Sequence, residues 1–127
     1  PKVLLINKYS ASDGDLFPWS FKANNLGTVI GTRSWGGIVG ISGSLPYIDG
    51  TDVRVPFFTN YDAKTGEWIV ENHGVDPDIL IDNDPIKEQA GEDQQLNKAI
   101  EVALEQLKNR KPWPKTPAPR TMKDLGW

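Results

Sequence analysis

The spacing of apolar residues changes along this chain, and each change marks an element. Val3, Leu4, Leu5 and Ile6 form a short unbroken apolar run, the pattern of a strand buried on both faces of a parallel sheet. Polar residues end it, and the loop Ser10-Ala11-Ser12-Asp13-Gly14-Asp15 follows. Leu16, Phe17, Trp19 and Phe21 then predict a short helix with its aromatic side toward the core, kinked at Pro18 or starting close to it. Asn24 to Gly27 reads as the helix stop, with Gly27 placed for a left-handed cap. Thr28-Val29-Ile30-Gly31 is a second buried strand, so the first 31 residues predict one βαβ-like unit with a right-handed crossover.

The middle is built on turns. Gly31 to Gly37 is a glycine-rich loop, and residues 38–41 resume an extended run. Residues 53–59 and 67–70 have strand composition on either side of Asn60 to Gly66, which predicts a hairpin pairing those two segments. A turn cluster at 74–78 precedes a last short strand at 79–81. From Glu92 to Arg110 the apolar residues Leu96, Ala99, Ile100, Ala103, Leu104 and Leu107 keep helical spacing, so this stripe is expected to pack on the sheet. Glu92 and Asp93 at its start and Lys108, Arg110 and Lys111 at its end suit the helix dipole. Pro112 stops it, and residues 112–127 are expected to be a Pro-rich extended tail, with residues 1–111 as the folded part. No internal repeat is found.

Composition narrows the classes. Of 127 residues, 38% are hydrophobic and 24% charged, which fits a globular chain and not a disordered one. A net charge of −3 and a pI near 5.1 argue against nucleic acid as the main partner. With no Cys and one His, thiolate nucleophiles, Cys-built zinc sites and two-imidazole mechanisms are excluded within these residues. No apolar run approaches the ~18–20 residues of a membrane span, and the first residues do not have signal-peptide form. The chain lacks an initiating Met and opens directly into a strand, as a piece of something longer would.

Three constellations carry candidate chemistry. The loop at Ser10 to Asp15 sits at the carboxyl edge of a predicted strand and the entrance of a helix. Ser12 is therefore expected at a helix N-terminus, with its hydroxyl at the sheet edge and at least one first-turn N–H facing the same space. That suits a nucleophile whose oxyanion is stabilised by backbone N–H groups. From these six residues alone, Ser12-x-x-Asp15 reads more readily as a capping box with no further role. The glycine loop matches neither dinucleotide nor phosphate fingerprints, since Gly37 stands where the phosphate loop needs Lys. Lone His73 beside Glu71 reads more readily as a surface group than as a catalytic base. Asp76, Asp78, Asp82 and Asp84 lack the calcium-loop pattern and read as solvated turn residues or element terminators.

Taken in order, SASDGDLFP, GTRSWGG, ENHGVDPDILIDNDP and GEDQQLNKAIEVAL resemble the C-terminal half of the tail-specific (C-terminal processing) serine peptidase family, over about residues 2–109. The processing branch places a Lys base where this chain has Gly37. The tricorn-like branch, with S-D-G-D and G-T-R-x-W-G-G, is the better match. The resemblance implies an α/β core of the crotonase and Clp-protease type, present here as a part of the complete domain. It implies Ser12 as nucleophile, the Asp13 N–H as one oxyanion donor, and Glu71, in preference to Glu67, as the acidic member of the catalytic set. Gly36 and Gly37 would form a loop beside the substrate. The His base, its neighbouring Ser and the second oxyanion donor would come from an N-terminal half. Peptide or protein substrates, that N-terminal half and, where exposed edges pair, a second copy are the implied partners; no metal or cofactor is implied. A retinoid-type apolar-ligand module of the same fold, with the five Trp and four Phe lining its pocket, is the competing expectation.

Overall fold

The two unbroken apolar runs lie side by side in a parallel sheet, the second at its centre and the first at its edge. Leu5 is exposed there, so the first run is not buried on both faces as expected. The computed structural model describes residues 1–43, 45–112 and 116–126. Strand β1 (Val3–Ile6) leads through helix α1 (Asp13–Ala23) to β2 (Thr28–Gly31), which pairs with β1 on one side and with the short β5 (Ile79–Leu80) on the other. The β1–β2 register aligns Val3 with Thr28 and Ile6 with Gly31. Central position explains composition: Val29 and Ile30 are wholly buried.

The sheet has a helix on each face. Leu4, Ile6 and Val29 pack with Phe21 of α1. Strand alternation turns Thr28 and Ile30 to the opposite face. There helix α3 (Gln94–Lys108) lies across β1 and β2, with Gln106 Nε2 donating to Thr28 Oγ1 at 3.1 Å and Gln106 Oε1 accepting from Lys2 N at 2.9 Å. Gly31 closes the β2 end with φ +132°, where a Cβ would stand 1.8 Å from the Ile6 carbonyl oxygen.

Four further expectations are corrected. The left-handed residue after α1 is Asn25, at φ 51°, and not Gly27. Gly27 is needed for space instead, because a Cβ there would be 2.2 Å from the Lys2 carbonyl oxygen. The aromatic side of α1 is only partly inward: Phe21 is buried, while Phe17 is exposed and touches it ring to ring at 6.1 Å. The hairpin pairs different segments. Strand β3 (Gly40–Ser42) takes β4 (Val55–Phe58) as its antiparallel partner, and residues 67–70 contribute a single bridge, Tyr61 to Trp68. The reason is local: Val70 at φ 66° cannot continue a strand, whereas Gly40 leaves room for the Phe58 ring 2.1 Å from where a Cβ would stand.

The fourth correction concerns α3. Its long periodic stripe is not the face on the sheet. Ala99 is buried and Val102, Ala103 and Gln106 are partly covered, but Leu96, Ile100, Leu104 and Leu107 are between 46% and 56% exposed. Asp93 caps the helix through Leu96 N at 2.9 Å. A five-residue helix, α2 (Pro85–Gln89), precedes it without any periodic signal, capped by Asp84. Of the Pro-rich tail, 113–115 lie outside the described residues. Residues 116–119 are exposed and irregular, and a single 3-10 turn follows at Lys123–Leu125.

The accessible surface is 10054 Å², against about 6,700 Å² for a folded monomer of this mass. Large apolar side chains contribute to it, including Ile41, Phe57 and Phe58 of the hairpin and the α3 stripe. This contrast yields the first prediction. In the 127-residue chain, Phe21→Ala should lower stability by about 3–5 kcal/mol and Leu104→Ala by less than about 1 kcal/mol, read from urea unfolding midpoints. Equal losses would mean that the α3 stripe is covered.

Candidate active site

Ser12 stands at the point where the chain leaves the β1 loop and enters α1. It is exposed and is the N-cap residue, with φ 56° and ψ −110°. A non-glycine residue held there costs about 1–3 kcal/mol, and such residues persist only where their surroundings fix them. Here the surroundings do. The Ser12 N–H donates to Asp15 Oδ2 at 3.0 Å, and the Ser12 carbonyl accepts from Asp15 N at 2.8 Å and Leu16 N at 3.0 Å. The Asp15 N–H that bonds this carbonyl also faces the Ser12 side chain, in capping-box geometry. Gly14 N donates to Ala11 O at 2.8 Å. Among the described residues, Asp13 N–H has no hydrogen-bond acceptor, so it is the free donor of the first turn beside Ser12.

Asp15 is the residue whose importance sequence reasoning understated. Its side chain is completely buried. Besides Ser12 N, it accepts from Gly36 N at 2.8 Å through Oδ1 and from Gly37 N at 3.2 Å through Oδ2. The S-x-x-D spacing signalled the contact within the helix turn, but nothing in the sequence signalled the two across to the glycine loop. Trp35 N adds a further tie, to Ser10 O at 3.0 Å.

Glu71 takes up the next two donors of the same segment. Its Oε2 accepts from Ile38 N at 2.6 Å and Val39 N at 2.9 Å. Four consecutive N–H groups, Gly36 to Val39, therefore end on two carboxylates. The backbone around Glu71 is strained as at Ser12, with Val70 at φ 66° and Asn72 at φ 61°. Asn72 N returns to Gly36 O at 2.8 Å. The glycine loop and the 72–75 turn meet backbone to backbone: a Cβ on Gly36, at φ +88°, would be 2.5 Å from Gly74 N. Buried Ser34 locks the contact by accepting from Val75 N at 2.7 Å.

The structure thus gathers Ser12, Asp13, Gly36, Gly37 and Glu71 around one backbone segment. No hydrogen bond joins Ser12 directly to Glu71 among the described residues. His73 is placed otherwise. Its Nε2 lies 3.0 Å from Asp76 Oδ2, while Arg33 Nε meets Asp76 Oδ1 at 2.6 Å. The Arg33 hydrogen bond, followed by that of His73, holds the Asp76 carboxyl below the usual carboxylate range. Asp78 clamps the turn to β2 and α1, accepting from Val29 N at 2.8 Å and pairing with Lys22 Nζ at 2.9 Å. Among the described residues no three His, Asp or Glu side chains group as metal ligands, and no helix is long and apolar enough to cross a membrane.

An exposed serine at a strained strand-to-helix turn, with an unused N–H beside it, is the geometry of nucleophilic hydrolases. Comparisons with known proteins agree in class. Residues 1–81 match Peptidase family S41. The chain is 46% identical over 111 residues to the tricorn protease of Thermoplasma volcanium, covering 87% of this chain and 11% of that protein. It is 42% identical over 107 residues to tricorn protease homolog 1 of Streptomyces coelicolor, covering 84% and 10%. The crystal structure of the tricorn protease superposes with a TM-score of 0.77 at 44% identity, covering 84% of this chain and 10% of that one. The chain therefore spans about a tenth of the length of these relatives, with the mixed α/β fold of the corresponding part. It belongs to Peptidase family S41, a serine peptidase family, on its tricorn-like side.

Proposed function

We propose that residues 1–111 are the nucleophile-bearing part of a tricorn-like serine peptidase domain, followed by the tail at 112–127. Ser12 Oγ attacks a peptide carbonyl and forms the Oγ–C bond. Its proton passes to a His on a segment outside these residues, which then delivers it to the leaving amine. The Asp13 N–H is one donor to the oxyanion, and water hydrolyses the acyl-enzyme. Glu71, anchored on Ile38 and Val39, acts on the Ser–His system as its third member. Gly36 and Gly37 let the backbone come close to the nucleophile loop and the substrate. The observation that carries the reading is Ser12 itself, exposed at φ 56° beside the unpartnered Asp13 N–H. No metal or cofactor takes part in this reaction.

The partner is the rest of the catalytic region. The half-exposed stripe of α3 and the apolar hairpin are the surfaces an N-terminal half would cover. A second copy of the chain competes for the same surfaces when that half is missing. An apolar-ligand module has less support, because Trp35, Trp68 and Phe57 are 65%, 73% and 75% exposed and do not wall an enclosed cavity.

Three outcomes are expected. In the full-length protein a fluorophosphonate probe should label Ser12, and Ser12→Ala should abolish both labelling and peptide turnover. Labelling at another serine would remove the reading. The 127-residue chain alone should show no turnover above the residual level of a triad enzyme lacking its base; activity lost in both Ser12→Ala and His73→Ala would instead make His73 the base. Finally, Leu104→Ala should cost about 2–5 kcal/mol in the full-length protein, where the stripe is covered, in contrast with the isolated chain. The measurement is unfolding of the catalytic region followed by hydrogen exchange of α3.

A further inference from the structure

Asp15 makes more contacts than a helix cap requires. Asp84 and Asp93 cap the first turns of α2 and α3 from exposed N-cap positions, and Asp93 also accepts from the Asn83 side-chain amide at 3.1 Å. Asp15 sits three residues inside its helix boundary, is completely buried, and reaches loop residues 21 and 22 positions away. Burying a carboxylate is unfavourable unless hydrogen bonds replace its water. Among the described residues no cation pairs with it, and three N–H groups do the compensating. Such charge-assisted bonds are the stronger kind.

The placement of those bonds determines Ser12. The peptide before Ser12 is held by its N–H on Asp15 Oδ2, and the peptide after it by its carbonyl on Asp15 N and Leu16 N. Asp15 thus grips the chain on both sides of Ser12, with its side chain on one side and its backbone on the other. Fixing both flanking peptides fixes φ and ψ of Ser12, and with them the directions of Oγ and of the Asp13 N–H. The same carboxylate draws Gly36 and Gly37 against this turn. We infer that Asp15 is a positioning residue of the acyl-transfer site, holding Ser12 in its strained conformation and locking the Gly36–Gly37 turn to it. The inference rests on the serine-peptidase reading proposed above.

Asp15→Asn tests it with little change of shape. Both carboxylate oxygens are in use, so whichever way the amide is turned, its NH2 faces at least one backbone N–H. In the full-length protein, kcat per labelled site and the rate of fluorophosphonate labelling of Ser12 should fall together by about 100-fold, as expected for a misplaced reacting group. KM should change by less than about threefold, and the final labelling stoichiometry should stay at the wild-type level. A purely structural role would lower stoichiometry and leave the rate per labelled site intact, which would overturn the inference. If wild-type protein is not labelled at Ser12 at all, the peptidase reading fails and this inference with it. Wild-type labelling with an unchanged Asp15→Asn rate removes Asp15 alone. Should Asp15→Asn not fold, hydrogen exchange of the wild-type protein decides. The Ser12, Gly36 and Gly37 amides should exchange far more slowly than the unpartnered Asp13 amide beside them, and equal rates would overturn the inference.

Discussion

A backbone N–H that leaves water must find an acceptor, and the segment from Gly36 to Val39 has four in a row outside any sheet ladder. Asp15 and Glu71 supply those acceptors in pairs. Neutral carbonyls would have served if another strand lay alongside, but a strand brings its own donors and its own register. Two carboxylates are acceptor-only and compact, so they can terminate a loop without extending a sheet. This choice sets the layout of the site. It ties the helix that begins at Ser12 to the glycine loop, and the glycine loop to the turn that carries Glu71.

Glycine and strain are the local consequences. Gly36 and Gly74 both occupy positive φ, and a Cβ on either would collide with the facing loop's backbone. Ser12, Val70 and Asn72 take positive φ without that freedom. Each such residue costs about 1–3 kcal/mol. Ser12 N–H ends on the Asp15 carboxylate, Asn72 N on the Gly36 carbonyl, and Val70 precedes Glu71, whose carboxylate takes Ile38 N and Val39 N. Val70 is the extreme case, because a β-branched side chain resists this region most strongly. Its carbonyl accepts from both His73 N at 2.9 Å and Gly74 N at 2.7 Å, which makes the kink part of a closed turn. Apart from Asn25 at the end of α1, the non-glycine residues at positive φ lie on the two turns that the 36–39 segment ties together.

The parts of this fold that were legible in the sequence rest on local periodicity. The Val3–Ile6 and Thr28–Gly31 runs, the helix between them and the span of α3 are elements whose burial pattern repeats within a few residues. The hairpin, whose pairing is set by a distant partner, is not legible in this way, although the short strand at 79–80 is. Residues 67–70 have strand composition, yet Val70 turns the chain and β4 pairs with β3. The α3 stripe was recognised, but periodicity alone does not say what a stripe packs against. The sheet takes the neighbouring face with Ala99 and Gln106 instead. The candidate site divides along the same line. Motifs located Ser12, Asp13 and the glycine loop, whereas Asp15 looked like an ordinary cap because two of its three donors come from a loop about twenty residues away.

That division bears on how a fold with so much uncovered apolar surface can keep the Ser12 turn in order. The bonds that shape Ser12 span three residues along the chain, and those that bring in Gly36 and Gly37 span 21 and 22. None of them involves α3 or the hairpin. In the proposed reaction the oxyanion donor is therefore built into the local fold, and only proton transfer depends on what docks over α3 and the hairpin. Electrostatic stabilisation works only if its dipoles are oriented before charge develops, so it benefits from short-range, rigid ties. A general base has to reach the hydroxyl within hydrogen-bond distance but can arrive on another segment. The burial that would complete the core would then also deliver the base, coupling activity to closure of the whole domain.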